Sequence, residues 1–232
     1  MVCDWVEISD ELKYHLQPVF IKCYTWEIVT TTISVPNNVC NDAWVYSFDL
    51  SLLPDVETVS IGSGSYKKVT DVKIDGLRKL KWISIGEESF TDMKTYSSYS
   101  FVLKNCPEIT SLFIDNHAFS TYGSCTIENN SKMTSLTIGG SRFEDSYSFY
   151  NANLMLRSNY TGVASLVDMD SLSTATFGTY AFYDCMHVTF ESNSSCVHSH
   201  ADLPKLQRIK LLYRAFYYYS DNTYSSLTLK GA

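Results

Sequence analysis

From about residue 50 onward the chain alternates apolar and polar positions in short bursts. Val59-Ser60-Ile61, Ile83-Ser84-Ile85 and Leu136-Thr137-Ile138 each put every second side chain on one face. A period of two is the mark of a strand, because successive Cβ atoms point to opposite faces of a sheet. Enrichment in Val, Ile, Thr, Tyr and Phe agrees with strands. No helical period is found between residues 50 and 232. A short helix opening at Asp10-Glu11-Leu12 is expected only near the start.

The bursts recur as copies of one unit. Val56-Glu57-Thr58-Val59-Ser60-Ile61-Gly62 returns as Leu80 to Gly86 and as Met133 to Gly139, with looser copies at Ile109 to Ile114, Leu172 to Gly178 and Leu206 to Leu211. Five residues beyond the last apolar position of each copy stands an aromatic: Tyr66, Phe90, Phe119, Phe143, Phe182 and Phe216. A second alternation follows each aromatic, ending at Ile74, Leu103, Ile127, Leu156, Phe190 and Leu229. The distance from aromatic to that end is alternately 8 and 13 residues, which predicts an extra loop in every other unit, such as 95–99 or 147–151.

Each unit thus predicts two short strands that cannot bury their apolar side alone. Units must stack with rungs about 4.8 Å apart, and matching Leu, Ile and Phe positions then form continuous columns. Each buried member contributes roughly 1.5 to 3 kcal/mol. Gly62, Gly86, Gly139 and Gly178, just after the first strand, are expected at a sharp corner. The expected fold is a β-rich solenoid, a leucine-rich-repeat-like stack of two-strand repeats with parallel sheets. It occupies residues 31–232, with one worn unit at Ile33 to Val39 ahead of six clear ones. Residues 1–30 are expected to form an N-terminal cap. The last strand, Leu227 to Leu229, has no cap after it, which predicts a fragment of a longer array or a missing partner.

The pattern L-x-x-I-x-I-G-x-x-x-F resembles leucine-rich repeats. Phe177-Gly178-Thr179-Tyr180-Ala181-Phe182-Tyr183-Asp184-Cys185 is similar to the BspA-like variant of microbial and protist surface proteins, which carries an I-G-x-x-A-F-x-x-C run. The resemblance covers about residues 45–232. It implies a curved solenoid whose concave face is a parallel sheet that binds proteins or cell surfaces. The ninth position of the common repeat, Asn or Cys, is held here by Gly64, Glu88, His117, Ser141, Tyr180 and Arg214. An asparagine ladder is therefore not expected in the turn after the first strand.

Composition narrows the class. Apolar residues at 45% supply a sizeable core, and charged residues at 19% argue against disorder. A net charge of -7 argues against nucleic acid, which needs clustered Lys and Arg. No apolar run approaches the roughly 20 residues of a membrane span. The start, Met1 to Glu7, lacks the order of a secretory signal. Seven cysteines without tight spacing favour buried free thiols and a reducing compartment. The sequons at Asn129, Asn159 and Asn193 point the other way, as does the family resemblance, toward the cell surface.

If inward positions are packed, function sits between them. Trp82 and Phe113 fall on neighbouring rungs and are expected nearly adjacent, an aromatic anchor of the kind that dominates interfaces. Arg208 and Lys210 add a basic spot at the far rung. The alternative for Trp82 and Phe113 is that they cover a gap or a flanking loop, and for Arg208 and Lys210 a plain solvated face. Cys196, His198 and His200, with Cys185 and His187 earlier, are the one metal-like cluster, but their spacing matches no zinc pattern, and neither metal nor cofactor is expected. No nucleophile elbow or phosphate loop occurs. Three functions stay open: a non-enzymatic module binding a protein or glycoprotein, a structural spacer in a longer array, and a carbohydrate-active parallel β-helix using paired carboxylates.

Overall fold

The computed structural model describes residues 29–91, 99–140, 147–149, 153–160, 174–178, 181, 187–194, 208–211 and 226–230. Fourteen strands follow the alternation. Those of the first sheet are β1 (Thr32–Val35), β3 (Thr58–Ile61), β5 (Trp82–Ile85), β7 (Ser111–Ile114), β9 (Ser135–Ile138), β11 (Thr174–Phe177) and β13 (Arg208–Leu211). Those of the second are β2 (Ser47–Asp49), β4 (Asp71–Asp75), β6 (Ser100–Lys104), β8 (Ser124–Glu128), β10 (Asn153–Tyr160), β12 (His187–Ser194) and β14 (Ser226–Lys230). No helix occurs among the described residues. Each sheet takes every second strand in chain order and every pairing is parallel, so the chain coils as a β-solenoid. The worn first unit is a full rung, since β1 pairs with β3 over its whole length.

Register puts like on like. Ile33, Val59, Ile83, Leu112, Leu136 and Ala175 form one inward row of the first sheet, all buried. Phe48, Val72, Phe101 and Cys125 face them from the second. Between the sheets runs a file of buried rings. Tyr66 stacks on Phe90 at 5.3 Å, and Phe90 on Phe119 at 4.8 Å. The next ring is Phe149, at 4.9 Å and 10° from Phe119. The expected member, Phe143, lies outside the described residues, as do Phe182 and Phe216. Equal spacing misleads at this rung because the extra residues precede the ring, so that Phe149 follows Ile138 by eleven residues rather than five. Residues 147–149 are part of the file and not an inserted loop.

The file needs an unusual backbone. The pairs Asn38/Cys40, Gly64/Tyr66, Glu88/Phe90, His117/Phe119 and Tyr147/Phe149 all have φ between 45° and 69°. A left-handed non-glycine costs roughly 1 to 2 kcal/mol. Burying an aromatic ring contributes about 1.5 to 3 kcal/mol. Ring pairing adds about 0.5 to 1.5 kcal/mol, so the bend is affordable where a ring fills the core. Inter-rung bonds hold it, Phe90 N–H donating to Ser65 O and Phe119 N–H to Ser89 O, both at 3.0 Å.

The turn lacks asparagine at the expected position and uses serine. Ser65 Oγ donates to Pro36 O at 2.8 Å and accepts from Val39 N–H at 3.2 Å. One rung on, Ser89 Oγ donates to Gly62 O at 2.8 Å and accepts from Ser65 N–H at 3.3 Å. Of the glycines after the first strand, Gly139 has the left-handed backbone of the expected sharp turn, φ 84°, whereas Gly62, Gly86 and Gly178 serve a different purpose. Gly86 has no positive φ, yet a Cβ there would lie 2.6 Å from Ser63 N, and one on Gly178 would lie 1.9 Å from Gly139 O. They let successive rungs touch. Asparagines do form a ladder at the opposite corner, where Asn129 donates to Asn105 Oδ1 at 3.0 Å and Asn105 to Asp75 Oδ1 at 2.8 Å.

Charge is patterned too. One row of the second sheet reads Asp75, Lys104, Glu128, Arg157, Glu191 and Lys230, alternating in sign across six strands. Lys104 lies 3.4 Å from Asp75. Such a row opposes a slip by one rung, which would place like charges together. The cysteines divide: Cys106 and Cys125 are free and buried as expected, whereas Cys40 is disulfide-bonded. The 1–28 part of the expected cap, including the helix at Asp10, lies outside the described residues.

Candidate functional site

The outward rows of the first sheet separate sharply from the rest of the surface. Across β1 to β11 they hold Thr32, Thr58, Trp82, Ser111, Ser135 and Thr174 in one row and Ser34, Ser60, Ser84, Phe113, Thr137 and Thr176 in the other. None carries a charge, in a chain with 18 basic and 25 acidic residues. The reason is local: each strand has two inward apolar positions, and the two between them alternate outward with small hydroxylated side chains suited to a pleated surface.

Two positions break the pattern. Trp82 is 38% exposed and Phe113 is half-buried. Trp82 is in register with Ser111, and Phe113 with Ser84. The two aromatics are therefore diagonal neighbours, about 8 Å apart at Cα from the strand spacing and rise, not side by side. Rings and hydroxyls alternate around a square of four residues. The hydroxyls of Ser60, Ser84, Ser111, Ser135 and Thr137 make no hydrogen bond among the described residues and face outward, where a ligand could reach them.

Arg208 and Lys210 continue the same two rows on β13, in register with Thr174 and Thr176. β9 and β11 lie between them and Phe113, so they stand about 14 Å away by strand spacing and join no common site. Exposed apolar residues that the sequence did not single out are Val29, Trp44, Tyr46 and Leu52, each at least half exposed, the last three flanking the edge strand β2. Exposure depends on what lies beside the edge and leaves no trace in the alternation.

Among the described residues several surface carboxylates are held by lysines one rung away. Asp55 pairs with Lys79 and Glu57 with Lys81, both at 2.6 Å, and Glu108 with Lys132 at 2.7 Å. Lysines, not second carboxylates, stand beside them. Burial pushes the Cys106 thiol up to about 12 and the Cys125 thiol upward as well, which removes both as nucleophiles. No group of three His, Cys, Asp or Glu among the described residues could hold a metal ion. The Cys185, Cys196, His198 and His200 positions lie outside those residues, and His187 is the first residue of β12. Among the sequons, the Asn129 amide is engaged by Asn105, while Asn159 and Asn193 stand directly in register on β10 and β12. No helix among the described residues is long and apolar enough to cross a membrane.

No protein-family model matches the chain, and no solved structure matches it. A stretch of 74 residues is 28% identical to a CinA-like protein of Desulfotalea psychrophila, covering 32% of this chain and 18% of that protein. The chain thus spans less than a fifth of that protein's length, and the likeness assigns it no family.

Proposed function

We propose that the chain is a non-catalytic recognition scaffold, similar to surface leucine-rich-repeat proteins of the BspA-like kind, that holds a protein or glycoprotein against the outer face of its first sheet. The observation that carries this reading is the pair of exposed Trp82 and half-buried Phe113 on a parallel sheet whose other outward positions on β1 to β11 are Ser and Thr. Aromatic side chains bring large contact area at low entropic cost, and they need a rigid platform to do so. Arg208 and Lys210 form a separate basic end of the same face. The disulfide at Cys40 favours an oxidising compartment, in keeping with a surface role.

A pull-down from a cell-surface extract, comparing the wild type with Trp82→Ala plus Phe113→Ala, tests the reading. Loss of the captured partner at equal folded yield supports it, and equal recovery counts against this face. A second reading, a spacer within a longer array, is favoured by the alternating charge row from Asp75 to Lys230, which fixes rung order without involving any ligand. On that reading the double variant recovers as much of every protein as the wild type does.

A further inference from the structure

We propose that the occupant of this face is a neutral glycan, a chain of uncharged pyranose rings lying flat across the strands. The inference rests on the sheet-face reading above and narrows it. Protein interfaces are centred on aromatic, Met and Arg side chains and are depleted in Ser, while Ser and Thr are under-represented among their energetic anchors. Here ten of the twelve outward positions from β1 to β11 are Ser or Thr, and none is charged. A protein seated on this face would meet two rings and a field of small hydroxyls, with charge only at the margin, where Glu57 and Lys81 pair with each other beside Thr58 and Trp82.

A sugar finds the complementary chemistry. Each outward hydroxyl can both donate and accept, as each sugar hydroxyl does. The hydroxyls repeat about every 4.8 Å across the strands and about 6.6 Å along them, a mesh on the scale of one ring. The diagonal of Trp82 and Phe113 sets the alternation: a pyranose laid over Trp82 offers its C–H face to the indole while its edge reaches Ser84 or Ser111. The outward positions from β1 to β11 carry no charge, and Lys81, the cation next to Trp82, is already paired with Glu57 at 2.6 Å, so an anionic polymer would have to displace that carboxylate or reach Arg208 and Lys210.

The test is retention on beads of cellulose, chitin, mannan and β-1,3-glucan, with heparin beads as the anionic control. The variants Trp82→Ala and Phe113→Ala are run beside the wild type, with circular dichroism confirming equal folding. The expected result is retention on at least one neutral matrix, unchanged between about 50 and 500 mM salt because no ion pairs hold it. Each aromatic variant should be retained about tenfold more weakly, the scale of one ring contact. Retention on none of the neutral matrices, or on heparin alone, overturns the glycan assignment. If that happens while the aromatic double variant still loses its surface-extract partner, the sheet-face reading survives and the partner is a protein. Neutral-matrix retention unaffected by either substitution removes this face as the glycan site.

Discussion

The ring of Phe149 lies 4.9 Å from that of Phe119 and within 10° of parallel, continuing a stack that begins at Tyr66. It does so from a position where the sequence spacing had pointed to Phe143. Four rings with like backbone conformation, φ 51° to 58°, make this file the spine of the solenoid. Phe149→Ala should cost about 3 to 5 kcal/mol, as removal of a fully buried ring does. Urea denaturation measures it, and a loss below about 1 kcal/mol would remove Phe149 from the core.

The serine ladder makes a second prediction. Ser89→Ala deletes the hydroxyl that satisfies both Gly62 O and Ser65 N–H, and should destabilise by about 1 to 3 kcal/mol. Ser84→Ala, five residues earlier on the outer face, should change stability by less than about 0.5 kcal/mol. The same residue type thus gives opposite outcomes because one hydroxyl is buried and bonded and the other faces solvent. Paired urea curves check this.

Glu88 carries a third. It holds φ 55° at the rung position where Gly64 stands one coil earlier, and its ion pair with Lys67, at 3.5 Å on the surface, contributes little. Glu88→Gly relieves the left-handed strain and should be neutral or stabilising by up to about 1 kcal/mol. Differential scanning calorimetry should show an unchanged or raised midpoint. A fall of several degrees would mean that the strain is not where the backbone places it.

Alkaline pH supplies the fourth. Burial raises the Cys106 thiol from its ordinary 9.0 to about 12, and raises Cys125 and Tyr122, whose hydroxyl donates to Val69 O at 2.8 Å. The unfolded chain gives up these protons first, so their contribution is fully present below pH about 9 and is lost as pH climbs toward 12. Urea midpoints should fall between pH 9 and 11, and the fall should be shallower in Cys106→Ala with Cys125→Ala. An identical fall in that double variant would assign the effect elsewhere.

Much of this architecture was legible because a strand's period of two leaves both faces visible in the chain. Every apolar pair read from the alternation, from Val59 and Ile61 to Leu227 and Leu229, falls within a strand. Loops were not legible to the same degree. The extra residues at the fourth ring could lie on either side of it, and spacing alone chose Phe143. The role of Gly86 was hidden because close approach between rungs is a relation across coils, and the neighbouring residues do not encode it. The charge row from Asp75 to Lys230 was present in the letters but scattered over more than 150 residues, and only register aligns it. For the site, the two outward rows followed from parity, while the diagonal offset of Trp82 and Phe113 required the pairing of β5 with β7.

The most direct measurement sets stability beside recognition in three variants on neighbouring positions of β5. Ile85→Ala, buried, should lose about 2 to 5 kcal/mol in urea. Ser84→Ala should keep the wild-type midpoint, and Trp82→Ala should lose about 1 kcal/mol at most while forfeiting capture on the sheet face. Ile85→Ala and Ser84→Ala melting alike, or Trp82→Ala capturing as the wild type does, would contradict the division of this strand into a packed side and a recognising side.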